Sequence, residues 1–258
     1  MNATELQAAL RDLQLGGLRF FESISSTNDE ALLWASQSAS DLSIVIADEQ
    51  THGRGRLGRK WFTSPETSLA VSLILRPTPD EKKYPTRITG LGALALTHTI
   101  SKLGLHVQIK WPNDILINGK KAAGILVEST WMGDALDTYV LGMGVNILPA
   151  SVPPTDQVIF PATSLETELG QAIDRTELLH DILFSLIQWR PKLGTDEFIN
   201  AWESSLAFRG ESIQLTKDNQ PPLNGELLGL ESDGSLRLNA NNKILTVQIG
   251  EIHMRPPM

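Results

Sequence analysis

The sequence predicts an α/β chain of the α+β kind, with mixed helix and strand through residue 206 and a small β unit over 207–258. Three observations predict it. Apolar, β-branched runs such as Ser43-Ile44-Val45-Ile46-Ala47 stand between runs at helical spacing, such as Leu178, Leu179, Ile182, Leu183, Leu186 and Ile187. After about Ala207 the texture changes to short alternating runs parted by Asn219-Gln220-Pro221-Pro222, Asp233-Gly234 and Asn241-Asn242, the pattern of a small β-barrel. The chain has 258 residues, 41% hydrophobic and 20% charged, enough for one large domain or two smaller ones with a substantial core.

Taken in order, Leu6, Leu10 and Leu13 mark an amphipathic helix over Thr4 to Leu15, and Leu18 to Phe21 reads as a strand. Ser25 to Glu30 opens a helix whose apolar body is Ala31 to Ala35. Thr27 and Glu30 stand at capping-box spacing. The polar groups of Ser26, Thr27 and Asn28 either cap this helix or offer hydrogen bonds to a ligand at its N-terminus. Ser43 to Asp48 is a strand, and Ser68 to Leu75 another. Pro85 suits the first position of a helix carrying Ile88, Leu91, Leu94 and Ala95, ended by Gly104. Tyr139 to Ile147 is a strand in which Gly142 and Gly144 leave one face bare, as close contact with a ligand or another backbone requires. Pro149 to Pro161 reads as a loop, Asp174 to Trp189 and Thr195 to Leu206 as helices.

Between the second and third of these strands lies Gly53-Arg54-Gly55-Arg56-Leu57-Gly58-Arg59-Lys60-Trp61, nine residues with three glycines and four cations. Glycines let backbone amides approach an anion, and arginines present paired donors to carboxylate or phosphate. On a chain of net charge −8 this is a local anion cradle. The glycine spacing matches the dinucleotide fingerprint, but a strand follows where that motif needs a helix. A P-loop is excluded because Lys-Ser/Thr does not follow Gly58, and a kinase because His-Arg-Asp and Asp-Phe-Gly are absent. His52, just before the glycines, reads as a loop residue or a general base.

A second informative stretch begins with the strand His106 to Lys110 and Trp111-Pro112-Asn113-Asp114. Ile115 to Ile117 and the turn pair Asn118-Gly119 follow, and the chain returns through Lys120 to Glu128. Lys120 and Lys121 must point to opposite faces, so only one can enter a site. The small residues Ala122, Ala123 and Gly124 leave room beside it. Lys110, Asn113, Asp114 and Lys121 thus gather polar and charged groups at one end of a sheet.

The chain contains no cysteine, which excludes disulfides, thiolate metal sites and thiol nucleophiles. Met1 to Arg11 lacks the pattern of a signal peptide, and no apolar run approaches the ~20 residues of a membrane span. The acidic balance argues against broad nucleic-acid binding. The expected setting is cytoplasmic, with no membrane partner.

Ser26-Thr27-Asn28, the Gly53–Trp61 string, Lys110-Trp111-Pro112-Asn113-Asp114 and Lys121-x-x-Gly124-Ile125-Leu126-Val127-Glu128, in this order, resemble the biotin protein ligases. Gly142-x-Gly144-x-Asn146 and Gly250-Glu251-Ile252 are similar to that family as well. The resemblance implies a mixed central sheet flanked by helices, akin to class II aminoacyl-tRNA synthetase and lipoate ligase domains. It divides the chain into a catalytic domain, 1–206, and an SH3-like barrel, 207–258. It implies that biotin and ATP form biotinyl-5′-AMP, and that the lysine of a biotin carboxyl carrier domain then takes the biotin.

The resemblance also places the site residues. Lys121 lies between carboxylate and α-phosphate, and Arg54 and Arg56 close over the ligand. Ser26, Thr27, Asn28, Gln50, Gly53, Gly55 and Gly124, with Arg54, Arg56 and Lys121, surround biotin. Lys110, Asn113 and Asn146, with the same cations, serve ATP. Mg²⁺ is expected with ATP; its ligands are not named by any cluster, and Asp114 is a candidate. About 25 residues precede the Ser-Thr-Asn segment, too few for the DNA-binding domain of some members, so no operator DNA is expected. Monomer and homodimer both stay open. Rival readings are a lipoate or octanoate ligase of the same fold and a non-enzymatic RNA- or ligand-binding module.

Overall fold

The computed structural model describes residues 1–154, 160–217, 221–248 and 252–255. Its larger sheet is built from β1 (Gly17–Ile24), β2 (Ser43–Gln50), β3 (Ser68–Leu75), β4 (Val107–Lys110), β5 (Asp114–Ile117), β6 (Lys120–Met132) and β7 (Ala135–Asn146). The strand order is β1-β2-β3-β7-β6-β5-β4. Only β1 and β2 run parallel, because the helix α2 (Thr27–Ser36) carries the chain across between them. The other neighbours are antiparallel, so the sheet is mixed.

The two faces are covered differently. One packs Ile44, Ile46, Val71 and Leu73 under α3 (Arg87–Lys102) and α5 (Arg175–Trp189), with α1 (Ala3–Ala9) beside them. The other presents Val45, Ile74 and Val140 to Ala31 and Ala35 of α2. Because α2 covers only part of this second face, the rest of it is left for a cleft. A short α4 (Leu165–Leu169) and α6 (Asp196–Ser204) complete the helices met here.

Three local expectations are corrected. α1 ends at Ala9, well before Leu15. The cap of α2 is Ser26, whose side chain accepts from the Asp29 amide, while Glu30 is drawn away to Arg19 at 2.6 Å and closes no capping box. α3 begins at Arg87, two residues after Pro85. Its start is set by the Arg87 side chain, 3% exposed, which donates to the carbonyls of Leu193 and Ser232.

The C-terminal strands are β8 (Ser212–Lys217), β9 (Leu223–Leu230), β10 (Leu236–Ala240), β11 (Lys243–Val247) and β12 (Ile252–Arg255). They form an antiparallel sheet in the order β11-β10-β9-β8-β12. Among the described residues β11 and β12 do not pair; residues 249–251, which lead into β12, lie outside them. Four of the five β11 residues are exposed. Gly250 and Glu251 lie outside the described residues, as does 155–159 of the Pro149 to Pro161 loop.

The two sheets share one hydrophobic core. The Ile109 amide donates to the Ser205 carbonyl at 2.7 Å, and the Ala207 amide donates to Ile109 at 2.9 Å, so the end of α6 runs on along β4. The Trp111 indole, 1% exposed, donates to the Gly234 carbonyl at 3.1 Å. Fully buried Trp202 packs against Gly90 of α3, where an added Cβ would lie 2.5 Å from its ring. Alanine at residue 90 would gain about 1 kcal/mol of helix propensity. Overpacking a rigid indole costs about 1–3 kcal/mol, and Trp202 is hemmed in by Phe198. Gly90→Ala is therefore expected to lower the melting temperature by roughly 2–5 °C, read by calorimetry.

Candidate active site

The cleft floor is made of positions without bulk. In register across four strands stand Ala70, Gly144, Gly124 and Asp114, and beside them Ser72, Gly142 and Leu126. A Cβ at Gly142 would collide with the Asn28 amide, and one at Gly144 with the Trp61 indole. The bare face expected at these glycines is thus filled first by the protein's own side chains. Asn28 comes from α2 and Trp61 from the end of the glycine loop.

A polar network lies at the α2 end. The Thr27 amide donates to Gln50 Oε1 at 2.8 Å, and the Thr27 hydroxyl sits 3.0 Å from the same oxygen. The Ser72 hydroxyl is 2.8 Å from the Thr27 hydroxyl and 2.6 Å from Asn28 Oδ1. Two hydroxyl protons thus serve three oxygen–oxygen contacts, and one contact lacks a proton. The corner carries a surplus of acceptors, suited to a ligand that brings N–H groups. Asn28 Nδ2 donates to Glu128 Oε2 at 2.8 Å.

The other end is cationic around one carboxylate. Lys121 lies 2.6 Å and Lys110 3.4 Å from the two oxygens of Asp114, whose side chain is 14% exposed. Burial alone would raise the Asp114 pKa; the two lysines outweigh burial and hold it below the usual carboxylate range. Burial pushes Lys110 downward, against the pull of Asp114. Arg56 donates to Asn113 Oδ1 at 3.2 Å, and burial lowers its pKa as well. A register shift in the β5–β6 pairing, between Ile115 and Leu116, sets Lys121 opposite Leu116. Lys121 faces the cleft, 5.5 Å from the centre of the Trp61 ring, while Lys120 faces away and meets Glu168 at 3.1 Å.

The glycine loop is a small hairpin over this floor. Arg54 and Lys60 form a β-bridge, and the Trp61 amide donates to the Gly53 carbonyl at 2.8 Å. Leu57 takes a left-handed conformation at φ 58° within a short 3₁₀ turn. The Arg54 guanidinium donates to both oxygens of Glu128, at 3.0 and 2.7 Å, and to Asp29 at 2.6 Å. Burial would lower its pKa, but Glu128 and Asp29 together raise it.

The cleft holds about 940 Å³, part of it open to solvent. Ser26, Thr27, Asn28, Gln50, Arg54, Gly55, Arg56, Lys110, Asn113, Asp114, Lys121 and Gly124 all line it. Two predicted residues do not. Gly53 is buried under the loop. Asn146 is 3% exposed at the end of β7 and donates to the Thr163 carbonyl at 3.1 Å. His52 is exposed and meets Thr51 outside the lining. Sequence reasoning missed Ser72 and gave Glu128 no contact. Ser72 was visible as a lone hydroxyl in an apolar strand, and Glu128 as the charge ending the run Ile125-Leu126-Val127. Among the described residues no group of three His, Asp or Glu side chains could hold a metal ion, and no helix is long and apolar enough to cross a membrane.

Fold and cleft together define a mixed-sheet α/β protein whose cleft is cationic at one end and roofed by a glycine–arginine hairpin. Residues 20–146 match the Biotin/lipoate A/B protein ligase family. The bifunctional ligase/repressor BirA of Bacillus subtilis is 32% identical, over 98% of this chain and 79% of its own length. The biotin–[acetyl-CoA-carboxylase] ligase of Paracoccus denitrificans is 36% identical, over 83% of this chain and 90% of its own. Among solved structures, the biotin protein ligase from Aquifex aeolicus in complex with biotin and ATP superposes with a TM-score of 0.80 at 27% identity, over 93% of this chain and 99% of that one. The chain belongs to the biotin/lipoate protein ligase family.

Asp114→Asn leaves Lys110 and Lys121 without their counter-ion and is expected to lower the unfolding free energy by about 1.5–3 kcal/mol at pH 7. The folded pKa of Asp114 is depressed. Its stabilisation is therefore fully present above the unfolded value of about 3.9 and is lost as pH falls through the lower folded value. Urea unfolding of both proteins across the acid range should show their difference shrinking below pH ~4.

Proposed function

We propose that the chain is an ATP-dependent biotin protein ligase. Biotin's carboxylate oxygen attacks the α-phosphorus of ATP, forming biotinyl-5′-AMP and releasing pyrophosphate. The amine of a carrier-domain lysine then attacks the acyl carbon, an amide forms, and AMP leaves. The observation that carries this reading is the pairing, in one cleft, of an acceptor-rich corner with a cationic end. Biotin's ureido ring brings two N–H donors to Thr27 and Gln50, and its carboxylate extends toward Lys121.

Two anions must meet, so fixed positive charge has to offset their repulsion in a site poor in water. Lys121 is set between the ligand acid and the phosphate, with Lys110 and Arg56 on the nucleotide side and Asn113 orienting Arg56. Charged hydrogen bonds of this type contribute about 1.5–3 kcal/mol each. A carboxylate is already ionised at neutral pH, so the first step needs no protein base. Asp114 offsets the burial of Lys110 and holds both lysine side chains in place. Asn146 reaches a nucleotide only by exchanging its bond to the Thr163 carbonyl.

Mg²⁺ would enter with ATP and neutralise phosphate charge. Both Asp114 oxygens are engaged by lysines, so the described residues do not fit a protein-held ion. Residues 1–206 form the catalytic unit in this reading, and 207–258 a smaller appended unit. The carrier is a biotin carboxyl carrier domain of a carboxylase.

A lipoate or octanoate ligase has the same cationic end. Its acyl chain has no N–H groups to meet Thr27 and Gln50, which favours biotin. Labelled pyrophosphate exchange into ATP is expected with biotin and not with lipoate; the reverse would overturn the choice. Lys121→Ala should lower exchange by at least about 100-fold, the loss of two charged contacts, while biotin binding by calorimetry survives. Turnover unchanged in that variant would remove Lys121 from its role.

A further inference from the structure

The Arg54 guanidinium is held by two carboxylates, Glu128 on β6 and Asp29 on α2. One positive and two negative charges leave this corner net negative, a poor place to gather a carboxylate or phosphate. The group is nonetheless well ordered by contacts. Glu128 meets it with both oxygens and is itself fixed by Asn28. Asn28 is 4% exposed, bonded to Ser72 and wedged over Gly142. On the loop side Arg54 bridges to Lys60, next to Trp61, which lies over Gly144 and Gly124.

The geometry points to Glu128 as a positioning residue that clasps the 53–61 hairpin over the cleft through Arg54, with Arg54 acting as a fastener and not as an anion ligand. A continuous line of contacts then runs from the floor of the sheet, through Ser72, Asn28, Glu128 and Arg54, to the roof. The fastener joins the same α2 segment that contributes Thr27 to the acceptor-rich corner. The arrangement of that corner and the position of the hairpin are therefore linked through Asn28. The inference deepens the ligase reading, since a clasped hairpin shields a hydrolysable anhydride from water.

The first test needs no ligand. Hydrogen exchange of the Gly55 and Trp61 amides, which close the hairpin, is measured by mass spectrometry in the wild type, Glu128→Ala, Arg54→Ala and the double variant. Each single variant should speed exchange in 53–61 about tenfold, the effect of one lost charge-assisted contact, with β3 and β7 unchanged. The double variant should be no faster than Arg54→Ala, because Glu128 acts through Arg54, while Glu128→Ala alone keeps the Asp29 contact. Loop exchange at the wild-type rate in Glu128→Ala, multiplied effects in the double variant, or equal acceleration across β3 and β7 would each overturn the clasp.

The second test rests on the ligase reading. Release of preformed adenylate should be faster in both single variants and no faster in the double one than in Arg54→Ala, with Glu128→Gln between Glu128→Ala and the wild type. If Arg54 held the ligand directly, Arg54→Ala would release adenylate faster than the Asp29→Ala, Glu128→Ala pair, which strips the guanidinium of both carboxylates and leaves it otherwise intact. A wild type that forms no adenylate would refute the ligase reading and leave the exchange result to decide the clasp.

Discussion

No Cβ fits at residues 142 and 144, and the cleft depends on that steric fact. Asn28 and Trp61 occupy the space two side chains of β7 would otherwise fill. One comes from the helix that roofs part of the sheet, the other from the glycine–arginine hairpin. Both are brought against bare backbone, so the two walls of the cleft are referenced to the same strand. Any larger residue at either position would push helix or hairpin outward. A flat strand in the middle of a sheet is normally a weakness, since glycine packs nothing and orders at a high entropic cost. Here the lost packing is replaced by an amide and an indole that have further work in the site.

Charge in the cleft is arranged around a similar economy. Asp114 stands in register with Gly124 and Gly144, so no side chain lies between it and Lys121. A largely buried carboxylate touching two lysines keeps the cationic end from repelling itself apart, while leaving the cluster net positive. At the opposite corner the balance is reversed: Arg54 is outnumbered by Glu128 and Asp29. A polar, acceptor-rich corner and a cationic end therefore face each other across a few strands.

Much of this was legible beforehand, and the reasons differ by feature. The hairpin at Asn118-Gly119 was readable because only a few residue pairs take two left-handed conformations in succession, and both residues have positive φ. The Gly–Arg string and the Lys-Trp-Pro-Asn-Asp segment were readable because their composition is far from background. Contacts between distant segments were not. Ser72 and Glu128 are ordinary residues of ordinary strands, and only the pairing β3-β7-β6 brings them to Asn28. The register shift that sets Lys121 opposite Leu116 belongs to strand pairing, which periodicity cannot reveal. Closure of the C-terminal strands into a barrel depends on edge pairing, long-range geometry that short alternating runs do not encode.

The join between α6 and β4 bears on how this chain divides. Ile109 exchanges both of its backbone hydrogen bonds with Ser205 and Ala207, one residue before the cationic Lys110. A polypeptide ending at 206 would strip β4 of half that partnership and release the Trp111 indole from Gly234. The seam that looks like a natural place to separate two modules is therefore stitched into the back wall of the cleft, and the smaller sheet behaves as its buttress.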